Sequence, residues 1–266
     1  MKTILLPVHD DEGQQARLRA ALDCLRAVDG QLVCIDLVVP EAAGDPFGGI
    51  ASVVTERERL RELSNRDRVE EYLDHEGLGA EWIEAIGNPE ESLLQAAALS
   101  DLVVASTTRR PGFSLIASGL ADAVVARSGR PVLIVPDDSN GLDVAGEAMI
   151  AWDGSPSCIA ALRAAIPLLA QARSITLFEV DDGSVHIPAE SAAEYLGHYD
   201  IMSHILPKHA LIETSGAMIL AQCRRRRPAW LVMGGYGHSR AREALFGGVT
   251  RTMLSKARVP LFLAHA

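Results

Sequence analysis

Asp101–Val135 reads DLVVASTTRRPGFSLIASGLADAVVARSGRPVLIV, and Trp230–Ala264 reads WLVMGGYGHSRAREALFGGVTRTMLSKARVPLFLA. The two align without a gap at an offset of 129, from 101 to 230. Each opens with an apolar run and passes through a Gly/Ser/Thr/Arg loop, an amphipathic stretch and a basic turn. A proline and a second apolar run follow. Pro131 and Pro260 fall in register, which a chance alignment of apolar residues rarely gives. The start of the chain recurs too: TILLPVH, Thr3–His9, matches AMIAWD, ending at Asp153, at an offset of 144. The offsets differ by fifteen residues, which fits extra length in the Pro/Gly-rich stretch Pro40–Val53, expected to be a loop.

Working outward, each copy alternates strand and helix. The first has expected strands at 3–8, 31–37, 80–86, 101–105 and 131–135, with helices at 12–28, 54–77, 89–99 and 117–128. The second has strands at 147–152, 174–180, 202–207, 229–233 and 260–264, with helices at 156–171, 189–198, 214–227 and 242–257. Strands such as LVCIDLVV and WLVM are continuous apolar runs, which suit a parallel sheet covered on both faces. The fold class is therefore α/β: two tandem, doubly wound, five-stranded parallel-sheet domains at 1–136 and 147–266, with the turn-rich 136–146 as linker.

In such sheets ligands bind beyond the carboxyl ends of the strands, where the strand order reverses. The second copy is rich at those points. Its fourth strand runs into Gly234-Gly235-Tyr236-Gly237-His238-Ser239-Arg240, and with nine residues between, Gly237 is followed by Gly247-Gly248-Val249-Thr250 at a helix start. Glycines let backbone approach a phosphate, and a helix N-terminus offers unpaired N–H groups with a partial positive charge. Thr250 adds a hydroxyl. The first strand ends Ala151-Trp152-Asp153, followed by Gly154-Ser155-Pro156. Asp153 is placed either to cap the next helix or to accept from an adenine amino group. Phe178-Glu179-Val180 ends the second strand with backbone groups and an apolar wall for a flat base.

AWDGS followed by LVMGGYGHSRAREALFGGVT resembles the universal stress protein family, and the likeness extends over essentially the whole chain as two copies. The family's nucleotide-binding members carry G-x-x-G, nine residues, then G-[S/T], with an Asp after the first strand. The resemblance implies an adenine nucleotide alpha hydrolase-like fold and a site for ATP, ADP or AMP with Mg2+. Gly234, Gly237 and Gly247 fall on the three glycines, Asp153 on the adenine-contacting Asp, Val180 on a base-contacting backbone and Met233 before the first glycine. With Ala151, Trp152, His238, Gly248, Val249 and Thr250 these form the candidate nucleotide-binding set. Gly248 departs from the pattern, standing where a Ser or Thr is usual. The first copy departs further: His9 replaces the Asp, Ser106-Thr107-Thr108-Arg109 replaces the glycine loop and Ser118-Gly119 the second glycine pair. Its site is expected to be degenerate, leaving Arg109 and Arg110 free for some other anion. The family's dimerisation through its last strand implies that Val132–Val135 pairs with Leu261–Ala264 as an internal pseudo-dimer, with a further homodimer open.

The remaining features bound the function. A net charge of −10 argues against a general nucleic-acid binder, and no apolar run is long enough to span a membrane, so a cytoplasmic location is expected. Cys24, Cys34, Cys158 and Cys223 lie in apolar surroundings without a CxxC pair, and buried, reduced thiols are expected. Arg224–Arg227 close a helix before Pro228, where basic side chains suit the dipole. No G-x-S-x-G or HExxH motif occurs, so any ATP hydrolysis is expected to be slow. Three readings stay open: a nucleotide-binding stress-response regulator acting on a protein partner, a scaffold in which the glycines are only turn residues, and a slow hydrolase.

Overall fold

The computed structural model describes residues 1–38, 49–86, 88–107, 120–181, 183, 185–209, 213–235 and 248–266. Strands and helices alternate in both halves. The first half has β1 Thr3–Val8, α1 Gln14–Val28, β2 Gln31–Val38, α2 Gly49–His75, β3 Ala80–Ile86, α3 Pro89–Ala97, β4 Leu102–Thr107, α4 Leu120–Arg127 and β5 Val132–Pro136. The second has β6 Glu147–Trp152, α5 Pro156–Leu169, β7 Ser174–Asp181, α6 Ala189–Gly197, β8 His204–His209, α7 Ser215–Arg226, β9 Trp230–Gly234, α8 Val249–Lys256 and β10 Leu261–Ala264.

All ten strands join one sheet in the order β3-β2-β1-β4-β5-β10-β9-β6-β7-β8. Within each half every pairing is parallel, and the order reverses beside β1 and beside β6. The halves meet through an antiparallel pair, β5 with β10, in the register Leu261↔Ile134, Phe262↔Leu133 and Leu263↔Val132. These are the segments whose pairing the family resemblance implied. The two outer edges are left to β3 and β8, and β8 carries Pro207 and Lys208, residues that blunt an exposed edge.

The strands are buried on both faces, as continuous apolar runs require. One face packs Leu18, Leu22, Val69, Leu73, Ala161 and Leu196 of α1, α2, α5 and α6. The other packs Leu93, Val124, Ile219 and Met253 of α3, α4, α7 and α8. Phe262 at the junction is fully buried, and burying a side chain of that size contributes roughly 1.5–3 kcal/mol. The four cysteines are buried and unpaired, and burial pushes Cys34, Cys158 and Cys223 up to about 12, so the thiols behave as small apolar groups.

Two local readings change. The Pro40–Val53 stretch is not wholly a loop, since α2 begins at Gly49; residues 39–48 lie outside the described residues. The linker is not a polar tether either. Leu142 and Val144 are buried, and Asp23 of α1 accepts a hydrogen bond from Leu142 N at 2.8 Å. Among the described residues, no helix is long and apolar enough to cross a membrane.

Candidate functional site

The reversal of strand order in the second half puts the ends of β6 and β9 side by side, with Asp153 after one and Gly234-Gly235 after the other. Asp153 is exposed, and its Oδ1 accepts from Ser155 N at 2.9 Å, a tight turn that aims the chain into α5. The cap of α5 is Ser155, not Asp153: the Ser155 hydroxyl accepts from Cys158 N, and Pro156 fills the first turn. Asp153 is thereby left without a capping duty.

Each glycine here has its own structural demand. Gly154 has φ +68°, and a methyl group on it would collide with the backbone of Ile187. Gly234 lies against the first turn of α5, where a Cβ would stand 2.8 Å from Cys158 N. Gly235 sits beside Val125 of α4, and its carbonyl accepts from His265 Nδ1 at 3.0 Å while Gly235 N donates to Ala264 O at 2.8 Å. Gly248 caps α8 without a side-chain partner for the helix N–H groups, and Thr250 in the first turn is buried. Gly237, His238 and Gly247 lie outside the described residues, as do Arg109 and Arg110.

The connector between β7 and α6 folds back over the end of β6, which sequence reasoning missed. Trp152 Nε1 donates to Ile187 O at 2.8 Å, His186 N donates to Asp153 O at 3.1 Å, and Glu179 Oε2 accepts from Ala189 N at 2.7 Å. Trp152 is buried under this strap, while Ala151, Val180 and, on β9, Met233 are buried on the opposite face of the sheet. Asp153 is the exposed member of the group. The only sequence hint was Pro188, which starts a helix close enough to Glu179 for the carboxylate to bind its first N–H.

The corresponding place in the first half is filled. His9, at the position of Asp153, has Nδ1 2.7 Å from Glu62 Oε1 of α2, and the Glu62 side chain is completely buried. Asn65, also of α2, exchanges hydrogen bonds of 2.7 and 2.8 Å with Gln14, whose Oε1 accepts from His9 N. Nearer the strand-order reversal, the Arg17 guanidinium is ion-paired to Asp11 at 2.8 Å and donates to Ser106 Oγ at 2.7 Å. Its Nε and Nη2 donate to Pro7 O and His9 O. Ser106 aligns with Gly235, so the Arg17 guanidinium lies at the place that Gly235 marks in the second half. Asp36 of β2 is buried on the same face, with Oδ1 lacking a hydrogen-bond partner. Burial and the charges of Glu62 and Glu84 raise its pKa to about 6 against the opposing effects of Arg66 and His9.

Other candidates resolve simply. Arg226 pairs with Glu147 at 2.8 Å at the exposed C-terminal end of α7. Asp181 lies 3.2 Å from His209, and Asp182 is outside the described residues. Among the described residues, no group of three or more His, Cys, Asp or Glu side chains is arranged to hold a metal ion.

The fold recurs in solved structures. A universal stress protein from Archaeoglobus fulgidus DSM 4304 superposes with a TM-score of 0.78 at 18% identity, covering 99% of this chain and 96% of that one. A functionally unknown protein from Pseudomonas aeruginosa PAO1 gives 0.61 at 12% identity, covering 100% and 92%. At these identities the likeness is one of fold. No curated protein matches the chain. The family model described as "Universal stress protein family" matches residues 1–136, half of the chain and the half whose crevice is filled. On that match the chain belongs to the universal stress protein family.

Proposed function

We propose that this member of the family is a stress-response regulator that binds an adenine nucleotide, ATP or its ADP or AMP relatives with Mg2+, in its second half only. In this reading the halves are two repeats of one ancestral unit, spanning 1–136 and 147–266, of which the first has become a scaffold. The observation that carries it is the exposed Asp153 carboxylate at the strand-order reversal, beside Gly234 and relieved of capping by Ser155. A carboxylate there is an acceptor for an exocyclic amino group, and backbone N–H groups of the 234–248 glycine segment and the start of α8 suit phosphates. The base would sit beyond the carboxyl ends of β6 and β7, beside Asp153 and the backbone at Val180. A protein partner would read the nucleotide-bound form in the cytoplasm, and the reading assigns no catalytic residue.

A second reading has a specific observation in its favour. Gly154 and Gly234 are each required by packing against Ile187 and Cys158. A scaffold that binds no nucleotide would keep them for that reason alone. Calorimetric titration of Mg-ATP into wild-type and Asp153→Ala protein separates the two. The nucleotide reading expects binding that weakens at least about tenfold in the variant, the scale of one lost charge-assisted hydrogen bond. Absence of binding to folded wild-type protein, or equal binding by both, would overturn it.

A further inference from the structure

Helix α2 is held down in two different ways along its length. Towards its C-terminus, Val69 and Leu73 are buried in the core, Arg66 stacks over Trp82 at 4.6 Å, and Glu76 beyond the helix end pairs with Arg26. One or two turns earlier the apolar side chains face solvent: Leu60 is 59% and Leu63 41% exposed. What holds that stretch is polar. Glu62 and Asn65 are completely buried against His9 and Gln14, while Arg61 and Arg68 reach Asp10 at the rim. Directly beneath lies the buried Asp36 with its unpartnered Oδ1.

We propose that the 60–66 stretch of α2 is a proton-sensitive cover over the strand ends of the first half, closed while the His9–Glu62–Asp36 cluster holds its protons and lifting as the cluster loses them. The charges explain the direction. With His9 protonated, its cation neutralises the buried Glu62 carboxylate, and a protonated Asp36 adds no charge. Once both protons are gone, the buried Glu62 and Asp36 carboxylates repel each other beside a neutral imidazole, Glu84 of β3 adds a further negative charge, and Arg66 of α2 opposes them. His9 also faces Asp11, which favours its cation, and Arg17, which opposes it.

The linkage has one sign. Burial works against charged His9, but the Glu62 hydrogen bond and the charges of Glu62 and Asp11 outweigh it, leaving His9 above its ordinary 6.5. Asp36 is raised as well, from 3.8 to about 6. Both groups bind protons more tightly in the closed state than in an open one. Their contribution to closure is complete at low pH and is lost as pH rises through about 6 for Asp36 and above 6.5 for His9. The proposal is independent of nucleotide binding in the second half.

Amide hydrogen exchange of the full chain at pH 5.5 and pH 8, corrected for the intrinsic pH dependence of exchange, tests it. Protection of residues 60–66 is expected to fall at least about fourfold, the share that one carboxyl moving from 3.8 to about 6 still contributes between these two pH values, with His9 adding to it. Residues 69–75 and the β6–α5 segment keep their protection. Asp36→Asn, isosteric with the protonated acid, shrinks the fall at least about threefold, leaving the part due to His9. Equal protection of 60–66 at the two pH values overturns the proposal. So does a fall shared by 69–75 and the second half, or a full-sized fall in Asp36→Asn. Should that variant not fold, the wild-type contrast between the two parts of α2 decides alone.

Discussion

The two halves share a strand order and differ in what stands beyond it. After β1 come His9, a buried ion pair and the 27-residue α2 laid across the strand ends; after β6 come an exposed Asp153 and a strap leading to a nine-residue helix, α6. At the reversal point itself, Arg17 of α1 pairs with Asp11 and Ser106, whereas Ala161, which aligns with Arg17 at the offset of 144, is packed in the apolar core. The sheet fixes where a site can be, and the residues after each strand decide whether that place is a site or part of the protein's own packing. The first half is closed by side chains, whereas in the second a strip of backbone crosses the end of β6 and leaves Asp153 exposed.

The sharpest way to break this comparison is to remove Arg17. Arg17→Met leaves the Asp11 carboxylate buried without its cation, an arrangement that typically costs about 3–5 kcal/mol. Denaturant titration should show that loss. A change below about 1 kcal/mol would mean that the first crevice is wet and its network ornamental. Next in size is Gly154→Ala in the second half. A positive φ and the Ile187 backbone both oppose a methyl group there, for an expected loss of about 2–4 kcal/mol. The indole N–H resonance of Trp152 should move in the same variant, because its bond to Ile187 O belongs to the strap. An unmoved resonance would show that the strap does not depend on Gly154. Smallest is the pair at the head of α5. Ser155→Ala should lose about 1 kcal/mol as a missing cap, and Asp153→Ala less than about 0.5 kcal/mol as an exposed side chain. The reverse ranking would make Asp153 structural after all.

Much of this architecture was legible. Each of the ten expected strands lies within two residues of an observed one, because continuous apolar runs bounded by Gly, Pro and charge leave little choice in a covered sheet. The pairing of β5 with β10 was expected only from the family resemblance. Helix boundaries were less legible: α2 starts at Gly49, not 54, since a glycine-rich lead-in reads as loop. The position of Asp153 was readable, its freedom from capping was not, because Asp and Ser two residues apart are equivalent as caps on paper. Least legible were Glu62 and Asn65. In TERERLRELSNRDRVEE they look like members of a solvated charged helix, and only the tertiary placement of α2 buries them. The one signal was His9, a basic residue at a strand end where the other copy has an acid. The Ile187 strap had almost none, being made through backbone atoms that every sequence possesses.

The asymmetry between the halves is the central claim, and the number of nucleotide sites per chain tests it most directly. Equilibrium binding of Mg-ATP to nucleotide-stripped wild-type protein should saturate at one site per chain. Saturation at two would show that α2 and Arg17 do not close the first half. No binding at all would contradict the assignment of a site to the second.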